Sequence, residues 1–376
     1  MARDQDVYTE GDNDDDDEEE EDEGAEVSTP EPTDPVPRIL PSEVWDHGFV
    51  NEVIERIFLA KVATEKVPGK KGKPDGTLSY LDIGKLLALG RKSLMRQKMI
   101  VRIPEKELPL TVVGDIHSNI IHLRRIFHTN GWPGDGHSYL LLGDYIDRGT
   151  QGIETVCLLL ALQYRYPTRV HMLRGNHEEA NTTLNYGFYE ECITKFPTGN
   201  QGYQIWRNFI QTFDCLPVCA LVGNKIACMH GGLSPHMNRL QDVEAIQRPT
   251  TIPAYGLLCD ITWSDPEEQL QGWKMSKRWV GFAFGADVVE QFCRQEGLDL
   301  IIRAHQIDKN MYQAGYRWMK RAPLITVFSS MNYQNAHNNA AVVKITSKMR
   351  IYFVVYKCRT WQKTKQDPDK QGGCCE

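Results

Sequence analysis

The chain has 376 residues, 41% hydrophobic and 25% charged, enough for a substantial core and more than a minimal binding module needs. Its formal charge of −7 is uneven: residues 1–26 hold fifteen acids and one base, which leaves 35 acids and 42 bases, a formal +7, in the remainder. No stretch of about 20 residues is continuously apolar, the one charge-free stretch of that length, 322–343, being rich in Asn, Gln and Ser, so no membrane span is expected. The opening Met1-Ala2-Arg3-Asp4 lacks the apolar region of a secretory signal. The ten cysteines are therefore read as reduced thiols, and a cytoplasmic or nuclear location is expected.

Residues 14–23 form an unbroken run of ten acids. Such a run repels itself and buries nothing, so it reads as a disordered solubilising tail, with a partner-binding or self-inhibiting tail as the alternative. Pro30, Pro32, Pro35, Pro37 and Pro41 make an extended linker. The expected organisation is a tail and linker over 1–41, one folded domain over 42–357 and a flexible tail over 358–376. Folding should begin at Ser42, an N-cap ahead of Val50, Val53, Ile54, Ile57 and Phe58 at helical spacing. Residues 66–75, rich in Lys, Gly and Pro, read as an exposed loop, and 82–97 as a second helix. The pattern then changes to strands at 110–113, 139–142 and 170–173 with helices near 120–127 and 152–164 between them. That is a β-α-β-α-β run in an α/β fold, whose chemistry belongs in loops at the carboxyl ends of parallel strands.

Those loops carry the informative residues. The three strands end in GDIHSN, GDYIDRG and RGNHE, and two further apolar runs, 226–229 and 300–302, lead into HGG and RAHQ. Asp115, His117, Asp144, Asn176, His230 and His305 thus all follow apolar runs directly. Any one histidine alone would more often be structural. Six hard or borderline ligands converging on one end of a sheet point to a dinuclear metal site.

These motifs resemble those of the metallophosphoesterases, and specifically the phosphoprotein phosphatase family of serine/threonine phosphatases. The resemblance runs from about Leu81 to Tyr356 and is closest to the type-1 enzymes, through ETVCLLLALQYRYP, YGFYEEC, HGGLSP, GLLCDITWSDP, FAFGADVV and LDLIIRAHQ. It implies a calcineurin-like fold, a central β-sandwich flanked by helices. It also implies two divalent ions, manganese first, with iron or zinc as alternatives. One ion would lie on Asp115 and His117 and the other on Asn176, His230 and His305, with Asp144 bridging. Two such ions activate a hydroxide that attacks phosphorus in line. His177 would protonate the leaving alkoxide, Asp147 would orient His177, and Arg148, Asn176, Arg278 and Tyr333 would hold the phosphate.

The resemblance further implies phosphoprotein substrates and regulatory subunits docking in a surface groove; Ile226, Ile301 and Phe353 fall near the matching positions, although each reads in the first place as ordinary core. No nucleic-acid motif is seen. Ser118 and Asn119 stand where the family has Gly and Gln, and Ser118 is expected to strain the loop if that position needs a positive φ. Gln334 replaces the cysteine to which cyclic-peptide toxins attach. Lys277, Lys309, Gln313, Ala336 and Asn338 occupy the acidic groove of type-1 enzymes and imply a changed charge preference. A pseudophosphatase scaffold and a phosphoesterase acting on nucleotides or phosphodiesters are the alternatives.

Overall fold

The computed structural model describes residues 46–59 and 78–358. The acidic run, the proline-rich segment, the Ser42 cap, the 66–75 loop and the carboxyl-terminal tail beyond 358 lie outside the described residues.

Helix α1 (His47–Leu59) turns Val50, Val53, Ile54 and Ile57 inward, which is the helical spacing seen in the sequence. Helix α2 (Tyr80–Leu94) starts two residues before the expected 82 because Ser79 and Asp82 cap it reciprocally. Ser79 Oγ accepts the Asp82 N–H and the Asp82 carboxylate accepts the Ser79 N–H, both at 3.1 Å. It also ends three residues earlier than expected, at Leu94. Helices α3 (Ile120–Asn130), α4 (Gly152–Arg165), α5 (Ala180–Tyr186), α6 (Phe188–Lys195) and α7 (Gln201–Phe213) complete the first half, and α8 (Leu257–Trp263) and α9 (Ala286–Glu296) lie in the second.

Fourteen strands are found among the described residues: β1 (Ile100–Ile103), β2 (Leu110–Val113), β3 (Ser138–Leu141), β4 (Val170–Met172), β5 (Cys219–Val222), β6 (Ile226–Met229), β7 (Asp265–Pro266), β8 (Trp273–Met275), β9 (Phe282–Phe284), β10 (Leu300–Arg303), β11 (Tyr316–Trp318), β12 (Leu324–Val327), β13 (Ala340–Ile345) and β14 (Ile351–Tyr356). One sheet has the order β14-β13-β2-β3-β4 and the other β1-β5-β6-β10-β12-β11; β7-β9-β8 form a third, small sheet. β2, β3 and β4 run parallel, with α3 and α4 as crossovers, as the sequence pattern requires.

The two large sheets pack face to face. Leu110, Val112, Leu140 and Leu142 of the first meet Ile226, Cys228, Leu300, Ile302, Ile325 and Val327 of the second in one buried cluster. The alternate residues of the same strands point outward: Val113 and Leu141 into α1–α4, α6 and α7, and Ala227, Met229 and Ile301 toward α8 and α9. This period of two makes a β-sandwich flanked by helices. At two of the three candidate groove positions it agrees with the core reading. Ile226 faces the sandwich interior and Ile301 the core beneath α9, and both are buried. Phe353 is half-buried, its ring stacked on Tyr316 at 3.6 Å.

Candidate metal centre

β6, β10 and β12 are mutually parallel, so their carboxyl ends share one edge of the second sheet, as those of β2, β3 and β4 do in the first. A single bridge between Asp115 and Phe328 brings the two edges together. Gly114 makes that approach feasible. A Cβ there would lie 2.4 Å from the Val327 carbonyl oxygen, and the Gly114 N–H donates to Ser329 Oγ at 2.8 Å. Gly175 serves the neighbouring loop, where a Cβ would lie 2.3 Å from Asp144 Oδ1.

All six ligands expected from the sequence meet at this mouth, and all are buried. His117 Nε2 lies 3.8 Å from Asp115 Oδ2 and 3.7 Å from Asp144 Oδ2. His230 Nε2 lies 3.3 Å from Asp144 Oδ1, 2.9 Å from Asn176 Oδ1 and 3.1 Å from His305 Nδ1. Two groups result, His117–Asp144–His177 and Asp144–His230–His305, with ligand atoms within 4.8 Å of one another in each. Asp144 belongs to both. Asp115 falls in neither, although its Oδ1 accepts the His305 N–H at 3.0 Å and so fixes that loop.

The donor chemistry fits a pair of cations. His117 Nδ1 meets the Ile146 carbonyl oxygen at 3.0 Å and His230 Nδ1 the Leu142 carbonyl oxygen at 3.1 Å. Carbonyls only accept, so both Nδ1 atoms carry the proton and both Nε2 atoms face carboxylate and amide oxygens. A buried cluster of acceptors is stable only around positive charge. The electrostatics agree. Burial and the Asp144 carboxylate push Asp115 up to about 6. Burial also opposes ionisation of Asp144, but His230 and His177, whose charged forms Asp144 itself favours, outweigh it and hold that carboxyl below the usual range. Burial and His177 drive His117 down to about 3, which keeps the imidazole neutral and able to ligate.

His177 is held differently. Its Nδ1 meets Asp147 Oδ2 at 2.6 Å, while Asp147 Oδ1 accepts the Phe188 N–H at 2.8 Å. Burial opposes a charge on His177, but Asp144 and Asp147 prevail and raise it. Its Nε2 lies 3.9 Å from Asp144 Oδ2. Arg278 Nε donates to Asp265 Oδ2 at 2.7 Å, and the exposed Arg148 rests its guanidinium 4.0 Å over the Tyr186 ring. Tyr333 stacks on His117, with ring centroids 4.9 Å apart.

Backbone strain concentrates here: His117, Ser118, Asp144, Asp147, Arg148, His305 and Asn332 all have φ between 46° and 66°. Ser118, at φ 60°, sits in the conformation expected to strain its loop, and its Oγ donates to the Asp147 carbonyl at 3.2 Å. Asn338 corrects the groove expectation, because it is buried rather than facing substrate. Its Oδ1 accepts the Tyr333 N–H at 2.8 Å and its Nδ2 donates to the Ser330 carbonyl at 2.8 Å, so it staples the Tyr333 loop.

Three buried residues without a role in the sequence reading shape the site. Glu178 accepts the N–H groups of Asp144, Tyr145 and Gly175 at 2.8–2.9 Å and so fixes the loop of the shared carboxylate. Arg303 donates to Asp265 Oδ1 at 2.8 Å, which turns the other carboxylate oxygen toward Arg278. Each stands inside a quoted motif (RGNHE, RAHQ, WSDP), and that was the only signal available for them.

A sandwich whose two sheet edges meet over paired ligand groups sharing one buried carboxylate defines a metallohydrolase. Residues 108–308 match the calcineurin-like phosphoesterase family, so the chain belongs to that family of metal-binding hydrolases. Among solved structures it is similar to a protein serine/threonine phosphatase from Saccharomyces cerevisiae with similarity to human phosphatase PP5. That likeness has 28% identity over 74% of this chain and 90% of that one, with a TM-score of 0.68. It also matches a cold-active protein-tyrosine phosphatase of a psychrophile, Shewanella sp., at 16% identity over 69% of this chain and 83% of that one, with a TM-score of 0.45.

Proposed function

We propose that the protein is a serine/threonine phosphatase of the phosphoprotein phosphatase family, hydrolysing phosphoserine and phosphothreonine monoesters. The observation that carries this reading is the His177–Asp147 pair beside the shared carboxylate, with Arg148 next to Asp147 on the same loop and Arg278 on another. A monoester dianion needs cationic clamps and its leaving alkoxide needs a proton; the mouth supplies both.

Asp115, His117, Asn176, His230 and His305 would hold two divalent ions with Asp144 common to both, manganese first, with iron or zinc as alternatives. When bound, such ions polarise the phosphoryl oxygens and lower the pKa of an attacking water. Asp147 accepts the His177 Nδ1–H and stabilises the imidazolium, which gives its Nε2 proton to the departing serine or threonine Oγ. Arg278, fixed by Asp265, pairs with phosphate oxygens, and Arg148 and Tyr333 close the rim. The likeness to the yeast phosphatase supports this substrate class; the narrower likeness to type-1 enzymes rests on the sequence segments alone.

Metal-loaded protein should turn over a phosphoserine peptide in preference to a nucleotide phosphodiester. Preference for the diester would replace this reading with a nucleotide phosphoesterase. Metal binding without turnover of either would make the chain a scaffold.

A further inference from the structure

The turn between β8 and β9 carries Arg278 and is pinned on both sides. The buried Ser276 accepts the Arg278 N–H on its Oγ at 3.1 Å and the Trp279 N–H on its carbonyl at 3.1 Å, and its own N–H donates to the Gly281 carbonyl at 3.3 Å. Phe282 N–H donates to Ser264 Oγ at 3.0 Å. The residue after Arg278 is nonetheless a tryptophan, 88% exposed, at φ 63°.

Both features cost stability. A bulky side chain in the left-handed region is strained by roughly 1–2 kcal/mol, and an indole left in water forgoes its burial. Among the described residues no aromatic ring stacks on Trp279, so the fold draws little from its indole. Strain of this kind persists where the residue acts on something outside the fold. Met275, on the same hairpin, is also exposed, at 63%, and the pinned turn fixes the Trp279 backbone one residue from the arginine assigned to phosphate.

We infer that Trp279 is a specificity-determining residue: it reads the residue flanking the phosphorylated serine or threonine, which must be apolar or aromatic to lie against the indole while the phosphate sits at Arg278. This rests on the protein-phosphatase reading above. Tryptophan suits the task, because a large rigid ring offers contact area at little entropic cost.

The test uses the full metal-loaded chain and matched phosphoserine peptides carrying Leu, Phe or Gly on either side of the phosphoserine. The readout is the ratio of kcat/KM between apolar-flanked and glycine-flanked peptides, which cancels losses of folded or metal-loaded enzyme. The wild type should prefer the apolar peptide roughly tenfold, mostly through KM. Trp279→Gly should bring the ratio to about one, and Trp279→Phe should keep most of the preference. Glycine adopts φ 63° without strain, so that variant removes the ring and keeps the turn. A wild-type ratio of one, or a preference that survives in Trp279→Gly, overturns the inference. So does a concentration-dependent oligomer that Trp279→Gly abolishes with the peptide ratio unchanged, since the indole would then serve a self-contact. If no peptide is hydrolysed while p-nitrophenyl phosphate is, the serine/threonine reading itself has failed.

Discussion

His177 and His117 lie 4.9 Å apart, ring to ring, yet their Nδ1 partners give them opposite tasks. A carbonyl behind His117 leaves a neutral ring with a lone pair facing inward; a carboxylate behind His177 favours the imidazolium with a proton facing inward. Substitution should separate the two roles. His177→Ala should lower kcat by roughly 10²- to 10⁴-fold while metal content, measured on the purified protein, stays near wild type. Asp144→Ala should lose metal, because its carboxylate faces both ligand groups. Full activity of His177→Ala on a phosphoserine peptide would remove the histidine from the mechanism.

At the scale of elements, the meeting of β2 with β12 depends on one missing methyl group. Gly114→Ala places a Cβ against the Val327 carbonyl, and overpacking of that kind costs about 1–3 kcal/mol. The melting temperature should fall and metal should bind more weakly, since Asp115 is the next residue; calorimetry and metal titration would measure both, and an unshifted melting point would mean the edges can part without penalty. How far this edge was legible follows from the range of the interactions involved. β2 and β6 were read to the residue because each is a short run of apolar or β-branched side chains bounded by turn chemistry. The ligands were legible because each follows such a run. The shape of the Tyr333 loop was not, because part of what fixes it lies far away in sequence. Asn119 Nδ2, for example, donates to the Met331 carbonyl 212 residues on. Period-two burial turns Ile226 inward, the core reading that its apolar run favoured over its family position. Asn338 was misplaced because no local pattern distinguishes an exposed asparagine from one buried by its own loop.

For the whole molecule, charge and closure both converge on the mouth. The chain beyond residue 26 is formally +7, and Lys277 and Lys309 are exposed on the loops of Arg278 and His305. Phosphopeptides with flanking Glu should therefore be favoured over those with flanking Lys, and raising the salt should shrink the difference. Values of kcat/KM at two ionic strengths would decide it, and a lasting preference for the Lys peptide would count against the electrostatic account. The ligands also arrive from both sheets: Asp115, Asp144 and Asn176 follow strands of one, His230 and His305 strands of the other. Ion binding should therefore add to the closure of the sandwich, and a chelator should lower stability by about 4 kcal/mol relative to protein held at 1,000 times the dissociation constant. Calorimetry with and without chelator would test this, and an unchanged melting point would show that the protein alone holds the two edges. A chain built this way should register metal supply in its lifetime as well as its turnover. In a metal-starved cell the open mouth is expected to draw proteases, and abundance would fall alongside activity.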